Sequence, residues 1–149
     1  MCIRDSPFIP QSLRDQVAAE AGYRCGYCLT PQSFTAMPMH IEHIIPVVEG
    51  GQSTVENLWL ACPLCNGYKG IQTHGIDAVA HERVPLFNPR TEIWSDHFCW
   101  SEDGTEVIGT TSVGRVTVVA LRLNNVHLCL LYTSPSPRDR TRYRMPSSD

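Results

Sequence analysis

The sequence predicts a small α+β domain, and three observations predict it. Two Cys-x-x-Cys turns, Cys25-Gly26-Tyr27-Cys28 and Cys62-Pro63-Leu64-Cys65, frame the middle of the chain. Between and beside them, residues 39–48 alternate and are rich in Ile and Val, and residues 57–62 form a second apolar run, so both read as strands. Apolar residues at helical spacing precede this pair, and a turn-forming Asp103-Gly104 and a last helical stretch follow it. The expected architecture is a strand–strand–helix core stapled through its cysteines. An N-terminal helix and a C-terminal hairpin-plus-helix extension flank that core.

Each element has its own reason. Leu13, Val17 and Ala21 share a helical face over residues 11–21, with Ser12 as a candidate cap and Gly22 as a stop. Pro31 and Pro38 punctuate an irregular stretch. Pro46 breaks the first strand, and Gly50-Gly51 opens a loop before the second. Pro63 suits the first turn of a short helix over residues 63–69. Residues 75–89 read as irregular around a short helix, and residues 94–111 as a hairpin. Thr111 or Ser112 can cap a final helix reaching about residue 124, although Val116-Thr117-Val118-Val119 also suits a strand.

The two ends of the chain read differently. Residues 1–6 back-translate into the transposon end used in tagmentation sequencing libraries, and residues 129–134 into its reverse complement. Residues 135–139 and 144–148 fit the adapter that follows it. These ends are expected to be adapter-derived, the tail disordered, leaving residues 7–128 as one domain with a core at 23–70 and an extension at 71–128. About 120 residues suit a single domain with a modest core. Without the five arginines and three aspartates of the ends, seven basic and twelve acidic residues remain, a net charge near −5. An Arg-rich nucleic-acid-binding arm is therefore not expected. No run of about 18 apolar residues exists, so no transmembrane helix is expected.

Cysteine usage points to a metal. Four thiolates in two tight turns satisfy the tetrahedral preference of zinc, so Cys25, Cys28, Cys62 and Cys65 are the candidate structural ligands. The 33 residues between Cys28 and Cys62 exceed the roughly 15–20 of a simple ribbon, so an element is inserted between the turns. A redox dithiol remains an alternative. Cys99, between Phe98 and Trp100, reads as a small buried hydrophobe.

Inside this frame lies a set of groups suited to phosphodiester hydrolysis. A histidine with an ordinary pKa of about 6.5 can take a proton from water at neutral pH, which makes His43 the candidate base. A divalent ion held by oxygen ligands can clamp a phosphate, and Glu42 and Asn66 offer such oxygens. Asn57 can hold the loop or orient the histidine. Lys69 and Arg24 suit a nucleic-acid backbone, with Arg83 and Arg90 completing a basic patch. Glu42 and His43 are adjacent on a strand and point to opposite faces. His40 shares the face of Glu42 and reads as solvent-facing. Taken singly, each residue has a plainer role: a core histidine, a loop amide, a solvated charge.

Glu42-His43-Ile44-Ile45-Pro46, Gly50-Gly51, Glu56-Asn57-Leu58 and Cys62-Pro63-Leu64-Cys65-Asn66-Gly67-Tyr68-Lys69-Gly70 resemble the HNH endonuclease family, whose nuclease core is a ββα-metal (His-Me finger) fold. The resemblance covers residues 23–70. It implies that His43 is the general base, Asn57 the middle motif residue and Asn66 the third, where some members carry histidine. Glu42 stands where the family often has aspartate. A looser likeness to stand-alone prokaryotic or phage-type members runs through Pro85-Leu86-Phe87-Asn88-Pro89-Arg90 to Leu121-Arg122-Leu123-Asn124. The resemblance implies a cytoplasmic, metal-dependent DNA endonuclease with structural Zn²⁺ and a catalytic Mg²⁺ or similar cation. The competing readings are a non-catalytic zinc-knuckle module that binds DNA or protein, and a thiol redox protein. Oligomeric state stays open.

Overall fold

The computed structural model describes residues 9–35 and 37–124. The stretches read as adapter-derived, and the last residues of the expected domain, lie outside them.

Helix α1 (Gln11–Glu20) buries Val17. Its N-terminus follows Pro10 and has no side-chain cap, so Ser12 does not cap it. Gly22 stops it in the left-handed region, φ 66°. Val17 packs with Ile9 and Leu58 in a small apolar cluster that Leu13, Ile41 and Val55 cover. This cluster seats α1 on the central hairpin.

That hairpin is β1 (His40–His43) paired antiparallel with β2 (Leu58–Ala61). His43 faces Leu58 and Glu42 faces Trp59 in the register. The first strand is shorter than expected, because the chain bends after His43 and Pro46 starts a single 3₁₀ turn, Val47–Glu49. Asn57 ends a second such turn, Val55–Asn57, rather than opening the strand. Gly51 is required in the loop between them: a Cβ there would lie 1.7 Å from the Ile45 carbonyl oxygen.

Helix α2 (Pro63–Lys69) follows β2 directly. Pro63 sits in its first turn, and Cys62 caps it by accepting a hydrogen bond from Cys65 N at 3.4 Å through its sulfur. Gly70 ends it at φ 51°.

Residues 75–89 are not irregular around a helix. They contain a second hairpin, β3 (His74–Ile76) with β4 (Arg83–Pro85). Its turn is set by Asp77, whose Oδ2 accepts from Ala80 N at 2.8 Å. The side chain thus replaces the helical bond that Ala78-Val79-Ala80 could otherwise begin.

The rest of the extension is one short helix, α3 (Trp94–His97), then β5 (Phe98–Trp100) paired with β6 (Val107–Gly109), then α4 (Ser112–Ala120). Asp103 Oδ1 accepts from Ser101 Oγ, Thr105 N and Thr105 Oγ1, and Gly104 takes φ 73°, closing the hairpin turn. Thr111 caps α4 through Gly114 N. The helix stops earlier than expected, because Arg122 adopts φ 49° and Leu123 N bonds back to Val118 O. Phe87 stands at the centre of the main core, edge-on to Tyr27 and Phe98. Burying such a ring contributes about 1.5–3 kcal/mol. Because Tyr27 belongs to the first cysteine turn, the extension's core is continuous with the cysteine site.

Candidate metal centre and active site

The two cysteine turns meet. The candidate ligand sulfurs of Cys25, Cys28, Cys62 and Cys65 all lie within 4.8 Å of one another, and all four residues are buried. Cys28 Sγ and Cys62 Sγ are 3.8 Å apart. A tetrahedral ion with Zn–S bonds of ~2.3 Å needs that sulfur spacing. Tyr27 N lies 3.4 Å from Cys25 Sγ and donates to it, and Cys28 Sγ is 3.1 Å from Thr30 Oγ1. Hydrogen bonds from Cys25, Cys28 and Cys65 hold the Cys62 thiol below its ordinary range, whereas burial pushes Cys28 up. A bound cation would relieve that conflict by favouring thiolates at all four positions. The donors, their spacing and their burial fit a zinc ion.

Cys99 does not share this environment. It is exposed on β5, since Phe98 faces the core and alternation turns its neighbour outward, so the expectation of a buried Cys99 is corrected.

His43 ends β1, half-buried, with Nε2 2.9 Å from Ser53 Oγ. Burial, and then the charge of Lys69, hold its pKa below the ordinary value. The imidazole is therefore neutral near pH 7. Asn57 fixes the loop that carries Ser53. Its Oδ1 accepts from Ile45 N at 2.8 Å, and its Nδ2 donates to Ile45 O at 3.0 Å and to Gln52 O at 2.9 Å. Of its two expected roles, Asn57 takes the loop; the imidazole bond goes to Ser53. The sequence offers no motif for Ser53 beyond a small polar residue two positions after Gly51.

Glu42 and Lys69 depart from expectation. Glu42 is 4% exposed and Lys69 2%. Lys69 Nζ lies 3.5 Å from Glu42 Oε1, and Glu42 Oε2 accepts from the Tyr27 hydroxyl. The same ammonium reaches Ile44 O at 3.2 Å and His43 O at 3.5 Å. Burial pushes the Glu42 carboxyl up to about 6, against the pull of Lys69 and Tyr27. Burial also raises Tyr27, so its hydroxyl is a donor at neutral pH. A lysine consumed in this way is not available to a phosphate backbone, and Glu42 is turned away from solvent. Both are buried for the same reason: a buried charge needs a partner, and each has the other.

The remaining basic residues are also partly committed. Arg24 Nη1 donates to Leu29 O at 3.1 Å, bracing the turn after Cys28. Arg90 pairs with Glu20 at 2.7 Å and lies over the Trp59 ring, 4.8 Å from its centroid. Of the expected patch, Arg83 alone is exposed. Asn66, on the first turns of α2, is half-buried, and its amide forms no hydrogen bond with another described residue. No described helix is long and apolar enough to cross a membrane.

Comparison with curated proteins returns no match, and comparison with solved structures returns none. Residues 25–72 match the family model described as HNH endonuclease, a span from the first cysteine of the metal site to just beyond α2. Over these residues the chain is similar to that family.

Proposed function

We propose that this chain is a DNA endonuclease built on a ββα-metal core, in which His43 takes the proton of the attacking water. HNH nucleases act on DNA, and β1, β2 and α2 follow one another in the order such a core requires. The observation that carries the reading is the state of His43. It is half-buried, neutral near pH 7, and presented at the end of a strand whose following loop Asn57 ties down. A neutral imidazole at a fixed position is what general-base catalysis needs, an effect of about 10²–10⁴-fold.

In this reading Ser53 holds the imidazole ring through Nε2, and Asn57 keeps Ser53 in reach by gripping Ile45 and Gln52. The four cysteines hold a structural zinc, which supplies rigidity to the two turns. The divalent cation implied by the family likeness fits less well. Asn66 offers an uncommitted amide oxygen, but Glu42 does not point outward, so no step is assigned to that ion. Arg83, exposed on β4, is the residue of the expected basic patch that faces solvent and can meet the phosphate backbone. With a formal net charge of −3 and Lys69 withdrawn, binding to DNA is expected to be weak and salt-sensitive.

A supercoiled-plasmid nicking assay on the zinc-loaded protein tests the proposal. His43→Ala should cut at least about 100-fold more slowly than the parent while keeping its zinc. Equal rates would remove His43 from the chemistry. A parent protein that binds plasmid without nicking it, with or without Mg²⁺, would favour the non-catalytic knuckle module.

A further inference from the structure

We infer that Glu42 is the hub of a buried relay, Tyr27–Glu42–Lys69, that couples both cysteine turns to the His43 strand, and that it acts as a positioning residue rather than a cation ligand. The inference rests on the proposed nuclease reading and departs from the ligand role expected for Glu42.

Three observations carry it. The first is saturation. Glu42 Oε2 accepts from the Tyr27 hydroxyl, and Oε1 faces Lys69 Nζ at 3.5 Å. The ammonium has three protons and three oxygen neighbours: Glu42 Oε1, Ile44 O at 3.2 Å and His43 O at 3.5 Å. The ammonium has no proton to spare, and each Glu42 oxygen already faces a buried donor.

The second is burial. Tyr27 is 0% exposed, Lys69 2% and Glu42 4%. Charged residues are almost never that buried unless paired. An outward-facing cation would have to take Glu42 from Lys69 and leave a lysine charge uncompensated in the core. Strand alternation opposes this too, since Glu42 and His43 lie on opposite faces of β1.

The third is connectivity. Tyr27 lies inside the Cys25–Cys28 turn, where its backbone N–H donates to Cys25 Sγ. Lys69 ends the helix whose start carries Cys62 and Cys65. Glu42 is the residue before His43. One carboxylate thus receives a bond from the first cysteine turn and one from the far end of the helix that the second turn starts, and the lysine it fixes holds the carbonyls of His43 and Ile44. The backbone of the proposed base is positioned from within, by side chains carried on the two elements that also present the cysteines.

The test uses the full chain loaded with zinc. Glu42→Gln preserves the shape of the hub and removes its charge. A positioning role predicts nicking slowed by about 10–100-fold at every Mg²⁺ concentration, with half-saturating Mg²⁺ unchanged within about twofold. A ligand role predicts the reverse, a rise of about tenfold or more in half-saturating Mg²⁺ with the rate recovered at saturation, and that result overturns the inference. Tyr27→Phe removes a single hydroxyl and serves if the glutamine variant does not fold. It should also slow nicking without changing Mg²⁺ demand, and combining the two should be no worse than Glu42→Gln alone. A second readout does not depend on catalysis. In ¹⁵N-histidine spectra, both variants should move the His43 imidazole signals with one zinc per chain retained, and unmoved signals overturn the inference. If the parent does not nick, the nuclease reading fails by itself and the spectra still decide the relay.

Discussion

Asn57 grips Ile45 by both backbone groups, accepting from its N–H at 2.8 Å and donating to its carbonyl at 3.0 Å. The amide so replaces a missing strand partner just where β1 bends away from β2. Asn57→Ala removes these bonds and the one to Gln52 O, and is expected to cost about 1–2 kcal/mol of stability. Hydrogen exchange reads the effect locally: the Ile45 amide should lose protection ahead of the β1–β2 pairs. An Ile45 amide as protected as in the parent would show that the loop is held by other means. Gly51→Ala should open the same loop, because the added Cβ meets Ile45 O and then Asn57 Nδ2 at 2.8 Å.

Metal removal should be felt well beyond the sulfurs. Tyr27, between two of the candidate ligands, accepts a hydrogen bond from Trp94 Nε1 through its carbonyl at 2.9 Å. Trp94 stacks on Phe98 with centroids 5.1 Å apart. Stripping the metal with a thiol reagent and chelator should therefore shift tryptophan emission and abolish the cooperative thermal transition, both restored by Zn²⁺. Structural zinc in small domains contributes about 10–16 kcal/mol of apparent binding free energy, as much as the whole stability of a typical domain. A stripped protein that melts like the loaded one would rule out a structural metal.

The parts of the site legible in the sequence were those encoded by spacing. Two Cys-x-x-Cys turns predict a shared metal, and the structure brings all four sulfurs together. Pro63 after Cys62 predicts a helix start, which is where α2 begins. The direction in which a charged side chain points is not encoded by spacing. Lys69 looked like a phosphate contact because lysines are almost always exposed, and only the third dimension sets it against Glu42, 27 positions away. Tyr27 was the available hint, a large polar ring inside a buried turn that must place its hydroxyl on something. The β3–β4 hairpin was hidden for a different reason. Its strands have three residues each, and its turn depends on the Asp77 side chain. Cys99 was misread although the alternation Phe98 in, Cys99 out was present in the sequence itself.

Proton abstraction by His43 sets the sign of the pH dependence. The neutral imidazole is the active form, so nicking should rise with pH as His43 deprotonates and then level off. Burial and the charge of Lys69 hold that pKa below the ordinary value of about 6.5, so the plateau should be reached before neutrality. The measurement is the nicking rate at saturating DNA between pH 5 and 8. A midpoint above about 6.5 contradicts a neutral, Lys69-influenced base. His43→Ala should flatten the rising limb.

Asp77 and Arg115 give the extension its own acid sensitivity. Arg115 Nε and Nη2 donate to the two Asp77 oxygens at 2.8 and 2.9 Å, tying the β3–β4 turn to α4. The guanidinium bonds, and then the Ala80 amide, hold the Asp77 carboxyl down at about 2. That is below the unfolded value of about 3.9, so the folded state binds this proton less readily than the unfolded one. The pair therefore stabilises the fold above about pH 4, and its contribution is lost as pH falls toward 2. Asp103, also held at about 2 by Thr105 and Ser101, adds to the same window. The informative quantity is thus the difference between parent and Arg115→Gln. The parent's Tm should fall more steeply between pH 4 and 2, and the two curves should converge at the acid end. Parallel curves across that range would show that Arg115 does not set the ionisation of Asp77.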